Sequence, residues 1–78
     1  MIYPIYSIQD ALVGFQSPTI MNNDAFAMRA FKENFEDVKN AADYSLWKIG
    51  DFDTETGELI VCIPYIICRA TDIAKGDK

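Results

Sequence analysis

Acidic side chains are the clearest candidates for chemistry in this sequence. Asp51, Asp53 and Glu55 alternate in the manner of a calcium-binding loop. An EF-hand loop needs glycine at its sixth position and a bidentate acid at its twelfth. Counted from Asp51, those positions hold Thr56 and Cys62. The spacing therefore indicates an acidic turn open to water. In such a turn nothing separates the pKa values of the carboxylates, so they cannot serve as an acid and a base in catalysis.

The other residue types give no sign of catalysis or of a metal site. The sequence has no histidine, which is the usual general base and the commonest metal ligand. Cys62 and Cys68 without histidine do not make a structural zinc site, and the four glycines are scattered singly. We therefore predict a protein that is not an enzyme and that uses neither a cofactor nor a metal.

The two cysteines indicate a reducing compartment. In an extended segment Cys62 and Cys68 lie about 20 Å apart, whereas the Cα atoms of a disulfide lie about 5.5 Å apart. A chain reversal at Pro64-Tyr65 would be needed to join them, so we expect reduced thiols in a cytoplasm.

No segment of the sequence predicts export or membrane insertion. No basic residue precedes Arg29, although a secretory signal begins with a basic region. The longest apolar run, residues 59–68, has ten residues and contains Pro64, and a spanning helix needs about 20 residues. We expect a protein that does not enter the membrane.

Basic and aromatic side chains predict a nucleic-acid surface. Arg29, Lys32 and Lys39 share one arc of a predicted helix, which Glu36 interrupts. Lys48 and Arg69 join them if helix and sheet edges meet. Seven aromatic residues fall in predicted strands or at their ends: Tyr3, Tyr6, Phe15, Tyr44, Trp47, Phe52 and Tyr65. Rings on a sheet beside cations form the usual platform for single-stranded nucleic acid, at about 1–3 kcal/mol per stacked base. The alternative is that most of these rings form the core.

From this pattern we predict a surface on which cations follow the DNA backbone and rings stack on bases, without sequence readout. Its predicted members are Arg29, Lys32, Lys39, Lys48, Tyr44, Trp47 and Tyr6. The net charge of −5 excludes binding through bulk charge, so such a surface must rely on a local patch, on stacking or on oligomerisation.

The elements that carry these residues predict one small α+β domain, an antiparallel sheet with one helix packed on it in the order ββαββ. The 78 residues fit a single domain with an ordered core over about 1–70 and a polar end over 71–78. Predicted elements are strands over 1–8 and 15–21, a helix from Asp24 to Lys39 after the start signal Asn22-Asn23-Asp24, and a hairpin over 44–63 with its turn at 53–57. In the first strand of that hairpin Tyr44, Leu46 and Lys48 alternate with Trp47 and Ile49.

Three segments of the sequence resemble a known family. They are Ile5-Tyr6-Ser7 with Asp10-Ala11, the helix segment 25–31 with Arg29-Ala30-Phe31, and the run 43–53 with Thr56-Gly57. Together they are similar to the small nonstructural protein of gokushoviruses, single-stranded DNA phages of the Microviridae. Ala41-Ala42 stands where members of that family often have Pro-Glu, and the residues from Pro64 onward match loosely.

This resemblance implies a non-enzymatic protein of the infected bacterium's cytoplasm. By analogy with the microvirus packaging protein called C, it implies DNA binding and a part in the switch from duplex replication to single-strand synthesis and packaging. The implied partners are single-stranded viral DNA and the phage replication initiator or procapsid. We also expect a homo-oligomer, because edge strands near Pro4 and in the C-terminal strand favour pairing between chains.

A second hypothesis assigns the protein to another class. The acids Asp51, Asp53, Glu55 and Glu58 stand together in residues 51–60 without a base. Such an acidic hairpin is expected to dock on a basic surface of the phage or host replication machinery without touching DNA. Its simpler explanation is that the acids keep the hairpin solvated and the sheet edge from aggregating.

Overall fold

The protein is an α+β domain in which one helix packs on an antiparallel sheet. The structure, a computed structural model, describes residues 1–35 and 41–70. The predicted helix end at Lys39 and the predicted polar end 71–78 therefore lie outside the described residues.

The sheet is built on three long strands and two short ones. Their bounds are β1 Ile2–Asp10, β2 Gly14–Phe15, β3 Thr19–Ile20, β4 Tyr44–Asp53 and β5 Leu59–Arg69. The order is β2-β1-β4-β5, and β3 also pairs with β1. All described pairings are antiparallel.

The arrangement of the strands differs in detail from the predicted ββαββ order. The segment 15–21 forms the two short strands β2 and β3, because the chain leaves β1 between them around Pro18. Residues 65–69 do not form a separate strand. They continue β5, and the β4–β5 register shifts between Val61 and Tyr65, the stretch that contains Pro64.

The α-helix, α1, spans Asp24–Phe35 and begins where the sequence predicts. The Asn23 side chain accepts a hydrogen bond of 2.8 Å from the Phe26 N–H, which satisfies a donor that the first turn leaves free. Ala27 and Phe31 face the sheet and are buried.

The core lies between α1 and one face of the sheet. Its buried members are Tyr6, Ala27, Phe31, Leu46, Cys68 and Ala70. The rings of Phe31, Phe35 and Tyr44 extend it, with centroids 4.9 Å and 4.6 Å apart. Such tilted ring pairs add to the gain from burial.

The β4–β5 turn confirms the predicted hairpin. Asp53 and Glu58 close it through a backbone bond of 3.0 Å, and Gly57 adopts a φ of 79° that an L side chain rarely takes. The Glu55 N–H donates to the Asp53 carboxylate, which lowers the pKa of Asp53. The turn is also tied to β1, since the Thr54 N–H donates to the Met1 carbonyl at 2.9 Å.

Candidate functional site

The sheet face opposite α1, here called the open face, is covered by no other described element. Residues that pair in register share a face, so the pairing of β1 with its neighbours defines the membership of this face. Its members are Tyr3, Ile5, Ser7, Gln9, Phe15, Ser45, Trp47, Gly50, Phe52, Leu59, Val61, Ile66 and Arg69. The core residues Tyr6, Leu46 and Cys68 belong to the other face.

Two aromatic rings meet near the middle of the open face. Phe15 and Trp47 pack edge to face, with ring centroids 5.7 Å apart and ring planes 78° apart. The Trp47 indole N–H donates to the Ser45 hydroxyl at 2.8 Å, which fixes the orientation of the ring. Phe15 keeps 49% of its surface exposed. Trp47 is half-buried, so the pair presents an oriented aromatic surface to solvent mainly through Phe15.

Two buried serines, Ser7 and Ser45, lie beside this aromatic pair on the open face. The Ser7 hydroxyl donates to the Gln16 carbonyl at 2.7 Å and holds the residue after Phe15 against β1. Ser7 lies opposite Trp47 in the β1–β4 register and is buried. Both serine hydroxyls are hydrogen-bonded although the residues are buried. The small serine side chains leave room for the rings of Phe15 and Trp47.

A second aromatic pair lies on the same face nearer the β4–β5 turn. Tyr3 of β1 stands directly opposite Phe52 of β4, and both are partly exposed. Four of the ten aromatic side chains in the sequence thus share the open face.

The open face carries a positive charge although the protein is acidic overall. Arg69 is exposed and stands opposite Ser45, one row from Trp47. The strand acids Asp10, Asp51 and Asp53 pair with residues of the face that α1 covers. No described strand residue of the open face is a carboxylate. The net charge of −5 is therefore not spread evenly over the two faces.

Tyr6, predicted to stack on bases, cannot do so in this structure. Its ring is fully buried beneath α1, and its hydroxyl donates a hydrogen bond to the Asp24 carboxylate. Burial, together with this bond, raises the pKa of Tyr6 above its ordinary range. The prediction that Tyr6 lies on the DNA-binding surface is therefore wrong, because its side chain is part of the core.

Tyr44 and Lys48 lie on the α1 side of the sheet, away from Trp47. Tyr44 packs on Phe35, and the Lys48 ammonium lies 3.2 Å from the Asp51 carboxylate. Partial burial lowers the pKa of Lys48, but the hydrogen bond to Asp51 and its charge outweigh burial and raise that pKa. Lys48 is therefore already neutralised by a neighbour within its own strand.

The predicted helix cations are also separate from the aromatic surface. Arg29 is exposed on α1, and Lys32, one turn later, is half-buried. Since α1 packs on the opposite face from Trp47, these cations do not share a surface with it. Lys39 lies outside the described residues.

The four hairpin acids do not form one uniform protrusion. Asp51 contacts Lys48 and Asp53 is engaged by backbone donors of the turn. Glu55 and Glu58 are exposed, with Glu55 lying 3.5 Å from the Met1 ammonium and Glu58 accepting a hydrogen bond of 3.3 Å from the Thr56 hydroxyl. The acidic surface proposed for a protein partner therefore centres on these two glutamates.

Residues 1–35 and 41–70 hold no group of three His, Cys, Asp or Glu side chains placed to bind a metal ion. Within them, neither Cys62 nor Cys68 is part of a disulfide. No helix in this part of the chain is long and apolar enough to cross a membrane.

The sequence identified some members of the open face as aromatic or basic strand residues, but it did not show that they share one face of the sheet. Tyr3, Phe15, Phe52 and Arg69 are among the aromatic and basic residues of the predicted strands. The signal that unites them is cross-strand register, which links residue 3 to residue 52 and residue 9 to both 15 and 45. No local pattern contains that information.

The fold and the open face define a small α+β protein with an aromatic sheet surface. Comparison with protein families matches residues 3–73 to the family described as phage ORF5 protein. The match spans most of the chain, and the chain belongs to this phage protein family. No curated protein and no solved structure shows a significant match.

Proposed function

We propose that this phage ORF5 family protein binds single-stranded DNA on the open face, without reading its sequence. The observation that carries the proposal is the Phe15–Trp47 pair, in which Phe15 is exposed and Trp47 half-buried, held by Ser45 and lying one row from Arg69. Bases stack on such rings whatever their identity, because every base has a π-face.

The charge distribution supports the open face over the helix surface. DNA approaching Arg29 and Lys32 meets the side of the protein that also carries Asp24, Asp51 and other acids. DNA approaching Trp47 meets a sheet surface free of strand carboxylates. Few phosphate contacts are available there, so a weak dependence of affinity on salt is expected.

The proposed biological role follows from the gokushovirus resemblance. A non-enzymatic protein that coats single strands without sequence preference would act in the switch from duplex replication to single-strand synthesis and packaging. This role, in the host bacterial cytoplasm, is proposed together with DNA binding and depends on it.

The test uses the single tryptophan and a labelled strand in one cuvette. A strand of about 20 nucleotides is titrated into protein while Trp47 fluorescence and DNA anisotropy are followed at about 20 mM and about 300 mM salt. Quenching that accompanies a rise in anisotropy, and that largely persists at the higher salt, is the expected result. Flat anisotropy at low salt would reject direct DNA binding.

Two matched variants then locate the surface. Arg69→Gln removes a cation from the open face, and Arg29→Gln removes one from α1, with both side chains exposed in the wild type. Only Arg69→Gln should weaken binding, by a few-fold for one phosphate contact. Loss of affinity in Arg29→Gln alone would return the site to the helix.

The acidic-hairpin hypothesis retains one structural argument, the exposure of Glu55 and Glu58. Replacing both by lysine should abolish capture of a basic replication protein if that hypothesis is correct. Under the DNA proposal the same variant binds single strands as well as the wild type or more tightly.

A further inference from the structure

The aromatic rings of the open face form two pairs that lie along β4. Trp47 and Phe52 belong to β4, with Phe15 packed on Trp47 and Tyr3 directly opposite Phe52. Tyr3 and Phe52, here called the second pair, are both partly exposed. At about 3.3 Å per residue, an extended strand places positions 47 and 52 roughly 15 Å apart. The open face therefore offers a second ring surface a short distance from the first.

A low strip over β4 connects the two pairs. Gly50 is the β4 residue in the row between them and has no side chain. Its neighbours in that row, Ile5 of β1 and Val61 of β5, carry branched side chains, and Val61 is 87% exposed. A flat ligand that lies along β4 therefore passes between these two side chains on its way from Trp47 to Phe52.

The charges around this strip fit a polyanion that is held at one end. The exposed Arg69 stands in the row next to Trp47, and the described strand residues of the open face include no carboxylate. At the other end, beyond Phe52, the exposed Glu55 and Glu58 follow β4 in the turn. A phosphate is attracted at the first end and repelled at the second. Because the rings between these ends suit the π-faces of bases, the strip fits a single DNA strand.

We propose that one DNA strand lies along β4 and stacks bases on both pairs at once, so that Tyr3 and Phe52 form a second stacking site. This inference rests on the proposed function, since it extends the same surface. At the 3.4 Å rise of a stacked strand, roughly 15 Å corresponds to about four to five nucleotide steps. One subunit therefore holds about six nucleotides, and the acidic turn ends the path.

Affinity as a function of strand length gives the primary test. Oligothymidylates of about 3 and about 8 nucleotides compete with a labelled strand for the full chain, followed by anisotropy. The short strand reaches one pair and the long strand reaches both, so the long strand should bind at least about tenfold more tightly. A smaller ratio overturns the second stacking site but leaves DNA binding, and with it the proposed function, intact. Absence of binding at every length, including about 20 nucleotides, overturns both.

Tyr3→Leu removes one ring of the second pair, and Tyr65→Leu is the matched control. Tyr65 is also a strand tyrosine and is 48% exposed, but it pairs with Lys48 on the α1 side of the sheet. Tyr3→Leu should weaken the long strand about tenfold and the short strand at most about twofold, because the short strand keeps the Phe15–Trp47 pair. Tyr65→Leu should bind both strands like the wild type. Equal losses in the two variants, or a Tyr3→Leu loss that is the same at both lengths, would remove the second stacking site.

Salt separates stacking from charge at the two ends of the strip. Tyr3→Leu should weaken the long strand by the same factor at about 20 mM and about 300 mM salt, since a stacked ring releases no counterion. Arg69→Gln should weaken it mainly at the lower concentration. A Tyr3→Leu effect confined to low salt contradicts stacking on the second pair.

Photocrosslinking of the wild type needs no substitution and therefore holds even if a variant fails to fold. A strand of about 8 nucleotides carries one 5-iodouracil at either its 5′ or its 3′ end. One label should give adducts at Phe15 or Trp47 and the other at Tyr3 or Phe52, located by mass spectrometry. Adducts at the same single pair from both labels would refute a strand that spans the two.

A second copy of this chain is the competing occupant, because the sequence predicts a homo-oligomer. The edge predicted near Pro4 is not open, since β1 pairs with β4 on one side and the Pro4 carbonyl accepts a bond of 3.2 Å from the Met21 N–H on the other. Sedimentation velocity without DNA, at the concentrations of the titrations, tests whether copies meet through the second pair instead. The wild type and Tyr3→Leu should sediment alike. A wild type that self-associates and a Tyr3→Leu variant that does not would assign the second pair to contacts between copies and overturn the proposal.

Discussion

The Tyr6 hydroxyl donates a hydrogen bond to the Asp24 carboxylate and joins the middle of β1 to the first turn of α1. The ring of Tyr6 is fully buried, whereas Asp24 reaches the surface. The pair satisfies a hydroxyl that would otherwise be buried without a partner. It also places a negative charge at the N-terminal end of α1, where the helix dipole stabilises it.

Removal of this hydroxyl should destabilise the fold. Tyr6→Phe keeps the ring and loses a hydrogen bond to a charged acceptor, and a loss of about 2 kcal/mol in the free energy of unfolding is expected. Urea denaturation followed by circular dichroism measures it. Tyr3→Phe is the control, because the Tyr3 hydroxyl makes one exposed contact to the Met1 sulfur and its loss should change little. Equal effects of the two variants would contradict the assigned role of Tyr6.

The same hydrogen bond predicts how stability depends on alkaline pH. Because the pKa of Tyr6 is raised in the folded state, the folded protein keeps a proton that the unfolded chain releases above about pH 10. The stabilisation from Tyr6 is therefore complete below about pH 10 and declines as the pH rises above that value. Denaturation of the wild type and Tyr6→Phe between pH 8 and about pH 11 should show their stabilities converging on the alkaline side. A difference that stays constant would exclude the shift.

A close backbone approach predicts that Gly50 cannot be replaced. A Cβ at this position would lie 2.6 Å from the Ile60 carbonyl oxygen, which belongs to the β5 backbone and cannot move without disturbing the strand pair. Gly50→Ala should therefore cost about 1–3 kcal/mol of stability, measured by thermal or urea unfolding. Gly57→Asn is the comparison, since asparagine accepts a positive φ and the space beside Gly57 is open. It should be nearly neutral, and a larger loss there than at Gly50 would reverse this interpretation.

Local signals in the sequence predicted the local parts of this fold. Asn23 marks the helix start because a short polar side chain caps free N–H groups, and Gly57 marks the hairpin because it permits a positive φ. The side of the sheet on which α1 packs is not contained in either signal. It depends on the apolar surface that the assembled sheet presents to Ala27 and Phe31.

The candidate surface shows the same limit. Alternation along β4 already separates Tyr44 and Lys48 from Trp47, but alternation does not say which set the helix buries. Tyr6 has the same aromatic character as Tyr3, and only its register opposite Lys48 brings it under α1. Residue type therefore identified rings and cations, and register decided which of them share a face.

Two phenylalanines of nearly equal exposure provide the sharpest prediction for the proposed DNA surface. Phe15 on the open face is 49% exposed and Phe26 on α1 is 48% exposed. Phe15→Leu removes one ring of the stacking pair with Trp47, so affinity for single-stranded DNA should fall about tenfold, in line with the energy of one stacked base. Phe26→Leu removes a ring of the same kind from the other side and should bind DNA like the wild type. Anisotropy titrations of both variants measure the difference, with circular dichroism to confirm folding. If Phe26→Leu loses the affinity and Phe15→Leu keeps it, the strand binds on the helix side and the open face serves another purpose.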